Sequence, residues 1–214
     1  DLTSKDVFVS WLPLYHDMGL IGAWLGMFYN AAQLVVMSPL EFLARPKRWL
    51  LAIHRYRATI SAAPNFAYDL CVHKWQQKDL EGLDLSCWRI ACNGAEPIVP
   101  DTIREFCRKL QPYGFNKRAY WPVYGLAESS VGLAFPPKDN TPVIARVDRE
   151  EFCKSGKAIF VDDEHKSSLE FVACGRVLPG HEFRIVDDLD IELFFYSMQQ
   201  RAFYFFRYYY RITR

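Results

Sequence analysis

Three short segments of the chain combine polar or titratable side chains with small residues, and each follows a predicted strand. They are residues 12–19 (LPLYHDMG), 93–97 (NGAEP) and 124–128 (YGLAE). The first offers a titratable histidine beside an acid, the second small residues that let a ligand approach the backbone, and the third an aromatic face, a glycine and a carboxylate. Because α/β proteins bind ligands beyond the carboxyl ends of their strands, the three loops together predict a nucleotide site.

Each segment also has a purely structural interpretation when it is taken alone. Asp17 can cap a helix beside a structural His16, and NGAEP is more often a simple turn. Glu128 can be interpreted as an acidic residue at the amino terminus of a surface helix, where negative charge is favourable. The ligand site is therefore predicted from the three segments in combination.

The elements that position these segments alternate along the first two thirds of the chain. Strands are predicted at 7–12, 33–37, 58–62, 89–92 and 120–124. Helices are predicted at 20–29, from Pro46, from Asn65 through Trp75 with Asn65 as the cap, from Pro100 and at 127–135. We expect buried helix faces formed by Trp49, Leu50, Ile53 and Tyr56, and by Ile103, Phe106, Cys107 and Leu110. This alternation predicts an α/β fold with a parallel sheet and flanking helices. Short strands at 143–147, 158–161, 170–174 and 182–186 predict a smaller antiparallel portion after it.

Composition narrows the possible functions. Half of the 214 residues are apolar, which is enough for a substantial core, and 26 Lys and Arg against 25 Asp and Glu argue against nucleic-acid binding by charge. Charged residues interrupt every apolar run before the ~20 residues of a transmembrane helix. Six scattered cysteines without a CxxC pair indicate buried free thiols in a reducing compartment, so a cytoplasmic location is expected.

Five blocks in order carry a family resemblance. LPLYHDMGL, PNFAYDLC (64–71), NGAEP, YGLAE and CGRVLPG (174–180) resemble the fatty acyl-AMP ligases, a branch of the adenylate-forming, AMP-binding superfamily. The resemblance covers about residues 3–188 and implies an α/β fold that is part of the family's large amino-terminal domain. Residues 1–188 are accordingly interpreted as a partial adenylation domain.

The resemblance also implies roles for individual residues. His16 and Glu128 are the implied catalytic residues: His16 would sit where the fatty carboxylate meets the α-phosphate, and Glu128 would hold the Mg²⁺ that bridges the phosphates of ATP. The implied nucleotide-binding residues are Gly94, Ala95, Glu96, Tyr124, Gly125, Leu126 and Ala127, with Tyr124 stacked on the adenine. The implied acyl-binding residues are His16, Pro64, Asn65, Phe66 and Tyr68, although packing into the core explains Phe66 equally well.

The implied reaction joins a fatty acid and ATP into acyl-adenylate and pyrophosphate, with an acyl carrier protein or a polyketide synthase as the recipient of the acyl group. An acyl-CoA synthetase is a nearby alternative. An alternative of another class is a non-catalytic remnant that acts only in binding. Ala62 and Ala63 stand where the family usually has glycine, which leaves the preferred acyl chain length open.

The two ends of the chain depart from the resemblance. Residues 189–214 are rich in Phe and Tyr without a clear period, and we interpret them as a frameshift or gene-model error near Glu192. The family's phosphate-binding loop would lie ahead of Asp1, and its ribose-binding Asp and its Lys would lie beyond the matched region.

We therefore expect the isolated 214-residue chain to lack ATP–pyrophosphate exchange, because the groups that neutralise the triphosphate are not in it. Exchange assays with ATP, Mg²⁺ and a fatty acid measure this directly. Robust exchange by the purified chain would contradict this account of which groups the reaction requires.

Overall fold

A parallel five-stranded sheet forms the centre of the fold. The computed structural model describes residues 2–74, 80–139, 141–185, 189, 191 and 210–213. The strands lie in the order β2-β1-β3-β4-β5, and every neighbouring pair is parallel. Their bounds are Val7–Ser10 (β1), Gln33–Val36 (β2), Ile60–Ala63 (β3), Ile90–Asn93 (β4) and Tyr120–Pro122 (β5). The predicted α/β class is confirmed.

Helices provide the crossovers that parallel strands require. A π-helix, Met18–Leu25, continues into α1 (Gly26–Tyr29), followed by α2 (Pro39–Ala44), α3 (Lys47–Tyr56), α4 (Asn65–His73) and α5 (Pro100–Leu110). Because β2 lies on one side of β1 and β3 on the other, the strand order reverses beside β1. In open α/β sheets, this reversal is where the crevice for a ligand opens.

Aromatic side chains from α3, α4 and α5 fill the core. Tyr68 packs between Trp49, Phe106 and Tyr120, with ring centroids 4.9 to 5.3 Å apart. All four side chains are fully buried, and edge-to-face and tilted contacts of this kind add to the hydrophobic gain of burial. The helices therefore share one aromatic cluster rather than packing separately.

The predicted helix faces are confirmed except at two positions: on α5, Ile103, Phe106 and Leu110 are buried, but Cys107 is only partly buried. Trp49, Leu50 and Ile53 are buried, whereas Tyr56 is 41% exposed. Helix α3 ends at Tyr56 because Arg57 adopts a left-handed conformation (φ 51°) and turns the chain toward β3.

Three local predictions are wrong. The strand predicted at 158–161 does not form, and Phe160 makes only an isolated bridge to Val147. Residue Asn65 does not cap α4: Pro64 occupies the cap position, and the Asn65 side chain is buried among polar groups of β4 and α5. Residues 127–135 are not one helix but a 3₁₀ turn, Ala127–Ser129, followed by strand β6, Ala134–Phe135. A helix cannot continue through Ser130, which has φ 70°. Trp75 lies outside the described residues.

The remaining strands form small antiparallel pairs, as predicted. Strand β6 pairs with β9 (Arg176–Val177), β7 (Ile144–Asp148) with β8 (Ser168–Val172), and β10 (Glu182–Ile185) with β11 (Tyr210–Thr213). A short helix that the sequence did not predict, α6 (Arg149–Ser155), follows β7. Both terminal guanidinium nitrogens of Arg104 on α5 donate to the Glu170 carboxylate at 2.7 and 2.8 Å. This ion pair connects β8 to a helix of the large sheet.

The tail lies largely outside the described residues, so the boundary at 188 and the interpretation of 189–214 stay predictions. Within the described ranges, every helix is too short or too polar to cross a lipid bilayer. The six cysteines are free thiols, as expected, but only Cys71 and Cys174 are buried, whereas Cys153 is exposed and the other three are partly buried.

A buried carboxylate ties the amino ends of three strands together. Asp6 is 5% exposed and accepts hydrogen bonds from the Thr59 hydroxyl at 2.7 Å, the Thr3 amide at 2.9 Å and the Arg89 guanidinium at 2.9 and 3.1 Å. Burial alone would raise the pKa of Asp6, but these hydrogen bonds and the charge of Arg89 lower it below its usual value. Asp6 is therefore ionised in the folded protein.

We predict that Asp6→Asn lowers the free energy of unfolding by about 1–3 kcal/mol at pH 7, because Asn cannot accept all of these bonds. Since the folded-state pKa is lowered, the stabilisation is fully present above the unfolded pKa of about 3.9 and is lost as the pH falls through the folded pKa. Urea unfolding of both proteins at several pH values measures this. Asp101→Asn, which changes an exposed carboxylate, should cost less than about 1 kcal/mol. Equal losses in the two variants, or a difference independent of pH, would contradict the prediction.

Candidate functional site

A cavity of about 890 Å³ opens at the carboxyl edge of the sheet. It extends from the loops beyond β1, β4 and β5, where the strand order and the polar loops both predict a site, along one face of the sheet. Of the predicted site residues, the cavity is lined by His16, Gly94, Ala95, Tyr124, Gly125, Leu126 and Ala127. The three loops that are far apart in sequence therefore meet around one space.

Asp17 both caps the π-helix and orients His16. Its Oδ1 accepts from the Met18 amide at 2.7 Å and lies 2.8 Å from His16 Nδ1. The His16 side chain remains 47% exposed at the cavity. The Met18 amide also lies 3.2 Å from His16 Nδ1, so this ring nitrogen contacts both the amide and the Asp17 carboxylate while the rest of the ring faces the cavity. The structural and functional interpretations of this segment are thus compatible.

The loop after β5 is closed by backbone bonds and has no room for a side chain at Gly125. The Tyr124 carbonyl accepts from the amides of Leu133 and Ala134, each at 2.9 Å, so the chain folds back on itself. A Cβ added at Gly125 would lie 1.7 Å from the Val131 carbonyl oxygen. Only glycine fits this close approach, which holds the Tyr124 backbone at the cavity wall.

The loop after β4 is shaped by contacts with its neighbours. The Gly94 amide donates to the Ala63 carbonyl at 3.3 Å, and Ala95 adopts a left-handed conformation with φ 68°. The Glu96 carboxylate accepts from the Phe66 amide at 2.6 Å, in the first turn of α4. Gly94 and Ala95 therefore line the cavity, while Glu96 points its carboxylate to a helix end.

The other predicted residues lie around or behind the cavity. Glu128 is exposed on the 3₁₀ turn, next to the cavity-lining Ala127. Phe66 is 40% exposed and packs edge-on against Trp11. Asn65 and Tyr68 are buried, and the Tyr68 hydroxyl donates to the Cys92 carbonyl at 2.7 Å. Burial raises the Tyr68 pKa well above its usual value, so the hydroxyl stays protonated. Among the described residues, the lining omits Pro64, Asn65, Phe66, Tyr68, Glu96 and Glu128, whose roles stay predictions.

The sequence reasoning missed the apolar floor of the cavity. It consists of Phe8, Ile60, Ala62, Ile90 and Cys92 on one face of the sheet, with Met18, Met27 and Val131 around them. The register places Ile60 beside Ile90 and Ala62 beside Cys92. A signal was present, because residues 60, 62, 90 and 92 form one alternating set that is wholly apolar, and apolar strands of this kind are typical of a parallel sheet with covered faces.

The comparisons with known proteins agree with this geometry. The sequence model of a family described as "AMP-binding enzyme" matches residues 1–193. This chain belongs to the AMP-binding enzyme family.

Several members of the AMP-binding enzyme family are similar over most of this chain. It is 37% identical over 181 residues to the medium-chain-fatty-acid–[acyl-carrier-protein] ligase TtuA of Teredinibacter turnerae, covering 85% of this chain and 28% of that protein. It is 37% identical over 193 residues to the probable long-chain-fatty-acid–AMP ligase FadD30 of Mycobacterium tuberculosis, covering 86% of this chain and 32% of that protein.

A solved structure of a fatty acyl-adenylate ligase from L. pneumophila, in complex with acyl adenylate and pyrophosphate, is similar in fold. It superposes with a TM-score of 0.81 at 39% identity, covering 87% of this chain and 32% of that chain. The resemblance of this AMP-binding enzyme to fatty acyl-AMP ligases is therefore confirmed. The chain spans about a third of the length of these relatives.

We predict that Gly125→Ala destabilises this AMP-binding enzyme by about 1–3 kcal/mol, because the added methyl group forces the Val131 carbonyl to move. Gly22→Ala is the matched control: it lines the same cavity, but its Cβ would lie 3.7 Å from the nearest atom, a side-chain carbon of Val131. That variant should change stability by no more than about 1 kcal/mol. Urea unfolding compares them, and similar values for both would contradict the crowding argument.

Proposed function

We propose that this chain forms the nucleotide- and acyl-binding part of a fatty acyl-AMP ligase. In the reaction, a fatty carboxylate oxygen attacks the α-phosphorus of ATP, the bond from that phosphorus to the bridging oxygen of the β-phosphate breaks, and pyrophosphate leaves. The observation that carries the proposal is the single cavity in which the Gly94–Ala95 and Tyr124–Ala127 loops adjoin an apolar sheet face. Such a space suits a ligand with a flat polar base at one end and an apolar chain at the other.

The adenine would lie between the two loops. Tyr124 offers an aromatic face for stacking, and the backbone of Gly94 and Ala95 approaches without large side chains. Gly125, Leu126 and Ala127 continue this wall. The acyl chain would run over the floor formed by Ala62, Cys92, Ile60 and Ile90. Burial raises the Cys92 pKa to about 12, so its thiol is neutral there and forms part of the apolar surface.

His16 would position the substrate carboxylate and not remove a proton. A fatty carboxylate is already ionised at neutral pH, so its attack on phosphorus requires no base. The Asp17 carboxylate holds the His16 ring in place at 2.8 Å, leaving the rest of the ring at the cavity mouth. A ring held at this point would steer the carboxylate toward the α-phosphate by its position and would limit access of water.

ATP would enter with Mg²⁺, and Glu128 fits this ion. Its carboxylate is exposed beside the cavity wall, and Mg²⁺ is commonly bound by one or two carboxylates together with substrate phosphates. When bound, the ion would neutralise charge on the pyrophosphate as it leaves. We therefore propose Glu128 as one ligand of a metal site that is complete only when ATP is bound.

An acyl carrier protein or a polyketide synthase is the proposed recipient of the acyl group, in the cytoplasm. The name of the relative TtuA, an acyl-carrier-protein ligase, supports the carrier. The proposed substrates are a fatty acid and ATP.

We predict that the chain binds a hydrolysis-resistant analogue, dodecanoyl sulfamoyl-adenosine, and that Tyr124→Ala weakens this binding about tenfold, because base–aromatic stacking contributes about 1–3 kcal/mol. Tyr124→Phe keeps the ring and should bind within about twofold of the original chain. Isothermal titration calorimetry measures the affinities.

Tyr56→Ala, a change on α3 at a residue outside the cavity lining, is the control for general loss of structure. Absence of binding by the unaltered chain would overturn the proposed function. An equal loss in Tyr124→Phe and Tyr124→Ala would contradict stacking as the role of Tyr124.

A further inference from the structure

The loop after β4 is fastened at both ends to the amino end of α4. Before the loop, Asn93 Nδ2 donates to Asn65 Oδ1 at 3.2 Å, and after Ala95 the Glu96 carboxylate accepts from the Phe66 amide at 2.6 Å. Asn65 and Phe66 are consecutive first residues of the helix. We call these two bonds, Asn93–Asn65 and Glu96–Phe66, the α4 clamp.

The orientation of the Asn65 amide in the clamp is determined by its surroundings. Its Oδ1 also accepts from the Val99 amide at 3.1 Å, and a backbone N–H can only donate. The Asn65 oxygen must therefore face both Val99 and Asn93, and Asn93 must present its NH₂ group. The Asn65 Nδ2 donates to Thr102 on α5 at 3.3 Å, so the same side chain joins β4, α4 and α5.

This orientation leaves Asn93 with an incompletely satisfied amide inside the protein. Asn93 is fully buried and donates to Asn65 and to the Tyr120 hydroxyl, while its Oδ1 has no hydrogen-bond partner among the described residues. An unpaired buried acceptor is unfavourable and persists only where the surroundings determine the geometry strongly. The Asn93 carbonyl also accepts from Val123 at 2.8 Å, which connects the clamp to the Tyr124 loop.

Ala95 stands between the two clamp bonds and is the residue that they hold. It is exposed, lines the cavity and has φ 68°, a conformation that an L-residue other than glycine adopts at a cost. Backbone strain of this kind is maintained only when neighbouring contacts determine it. The left-handed turn orients the Gly94–Ala95 backbone along the cavity.

We propose that Glu96 and Asn65 are positioning residues for the nucleotide, acting through the conformation of Ala95 and not by contact with the base or the acyl chain. This inference rests on the proposed function, because it assigns the Gly94–Ala95 backbone to the adenine. The clamp holds the loop in its binding conformation before the ligand arrives, which reduces the entropic cost of binding.

The test uses the 214-residue chain, dodecanoyl sulfamoyl-adenosine and four variants. Glu96→Ala removes the bond to Phe66 and should weaken binding about tenfold, because Ala95 relaxes and must be restored on binding. Glu96→Gln keeps an acceptor oxygen and should stay within about threefold of the original affinity. Ala95→Gly alone gives the reference affinity for the double variant, since glycine adopts positive φ without the clamp.

The double variant Glu96→Ala with Ala95→Gly decides between positioning and contact. If the clamp acts by holding Ala95, the loss caused by Glu96→Ala should largely disappear in the glycine background, and the double variant should bind within about threefold of Ala95→Gly. If Glu96 contacts the ligand, Ala95→Gly cannot restore the lost contact, and an unrescued loss would overturn the proposal. Unchanged affinity in Glu96→Ala would also overturn it.

Amide hydrogen exchange without ligand separates this inference from the proposed function. Exchange over residues 94–99 should be faster in Glu96→Ala than in the original chain and in Glu96→Gln, because the loop opens more often. Equal exchange in all three proteins would overturn the clamp whether or not the analogue binds. Failure of the original chain to bind the analogue, together with faster exchange in Glu96→Ala, would reject the function and leave the clamp as a loop-holding device.

Discussion

The parallel alignment of five strands is the constraint on which the rest of the structure depends. Parallel strands all end at the same edge, so the segments after β1, β4 and β5 come together. Along the chain, the segment after β1 precedes the other two by about 80 and about 110 residues. The same alignment requires a crossover after each strand, which accounts for the helices between them. It also requires both faces of the sheet to be covered, because a parallel sheet exposes apolar side chains on each.

The two faces of this sheet differ in what covers them. One is covered by α3, α4 and α5, whose aromatic side chains form a packed cluster around Tyr68. The other carries Ile60, Ile90, Ala62 and Cys92 and forms the floor of the cavity. The Tyr68 hydroxyl, bonded to the Cys92 carbonyl, connects the packed side to the strand that leads into the Gly94–Ala95 loop. The packed core and the cavity therefore lie on opposite faces of the same strands.

Polar residues in the family blocks fall into two groups in the fold. His16 and the Tyr124 loop line the cavity, where a ligand can reach them. Asn65, Asn93 and Glu96 instead make bonds that join helix ends to the loops, so their polarity is used within the protein. A motif such as NGAEP thus contains residues that line the cavity and a residue that bonds to a neighbouring helix, and sequence identity alone does not separate them.

The sequence by itself determined the α/β class, the order of the strands along the chain, the buried face of α5 and the three loops at the site. These features depend on local periodicity and on turn residues, which can be read from positions close together in the sequence. Only the tertiary structure decided that Asn65 is a buried bridge, that residues 127–135 turn back as a strand, and that Gly125 must lack a side chain because a carbonyl occupies the space. Those outcomes depend on contacts between residues far apart in sequence, or on steric exclusion, and no local pattern encodes them.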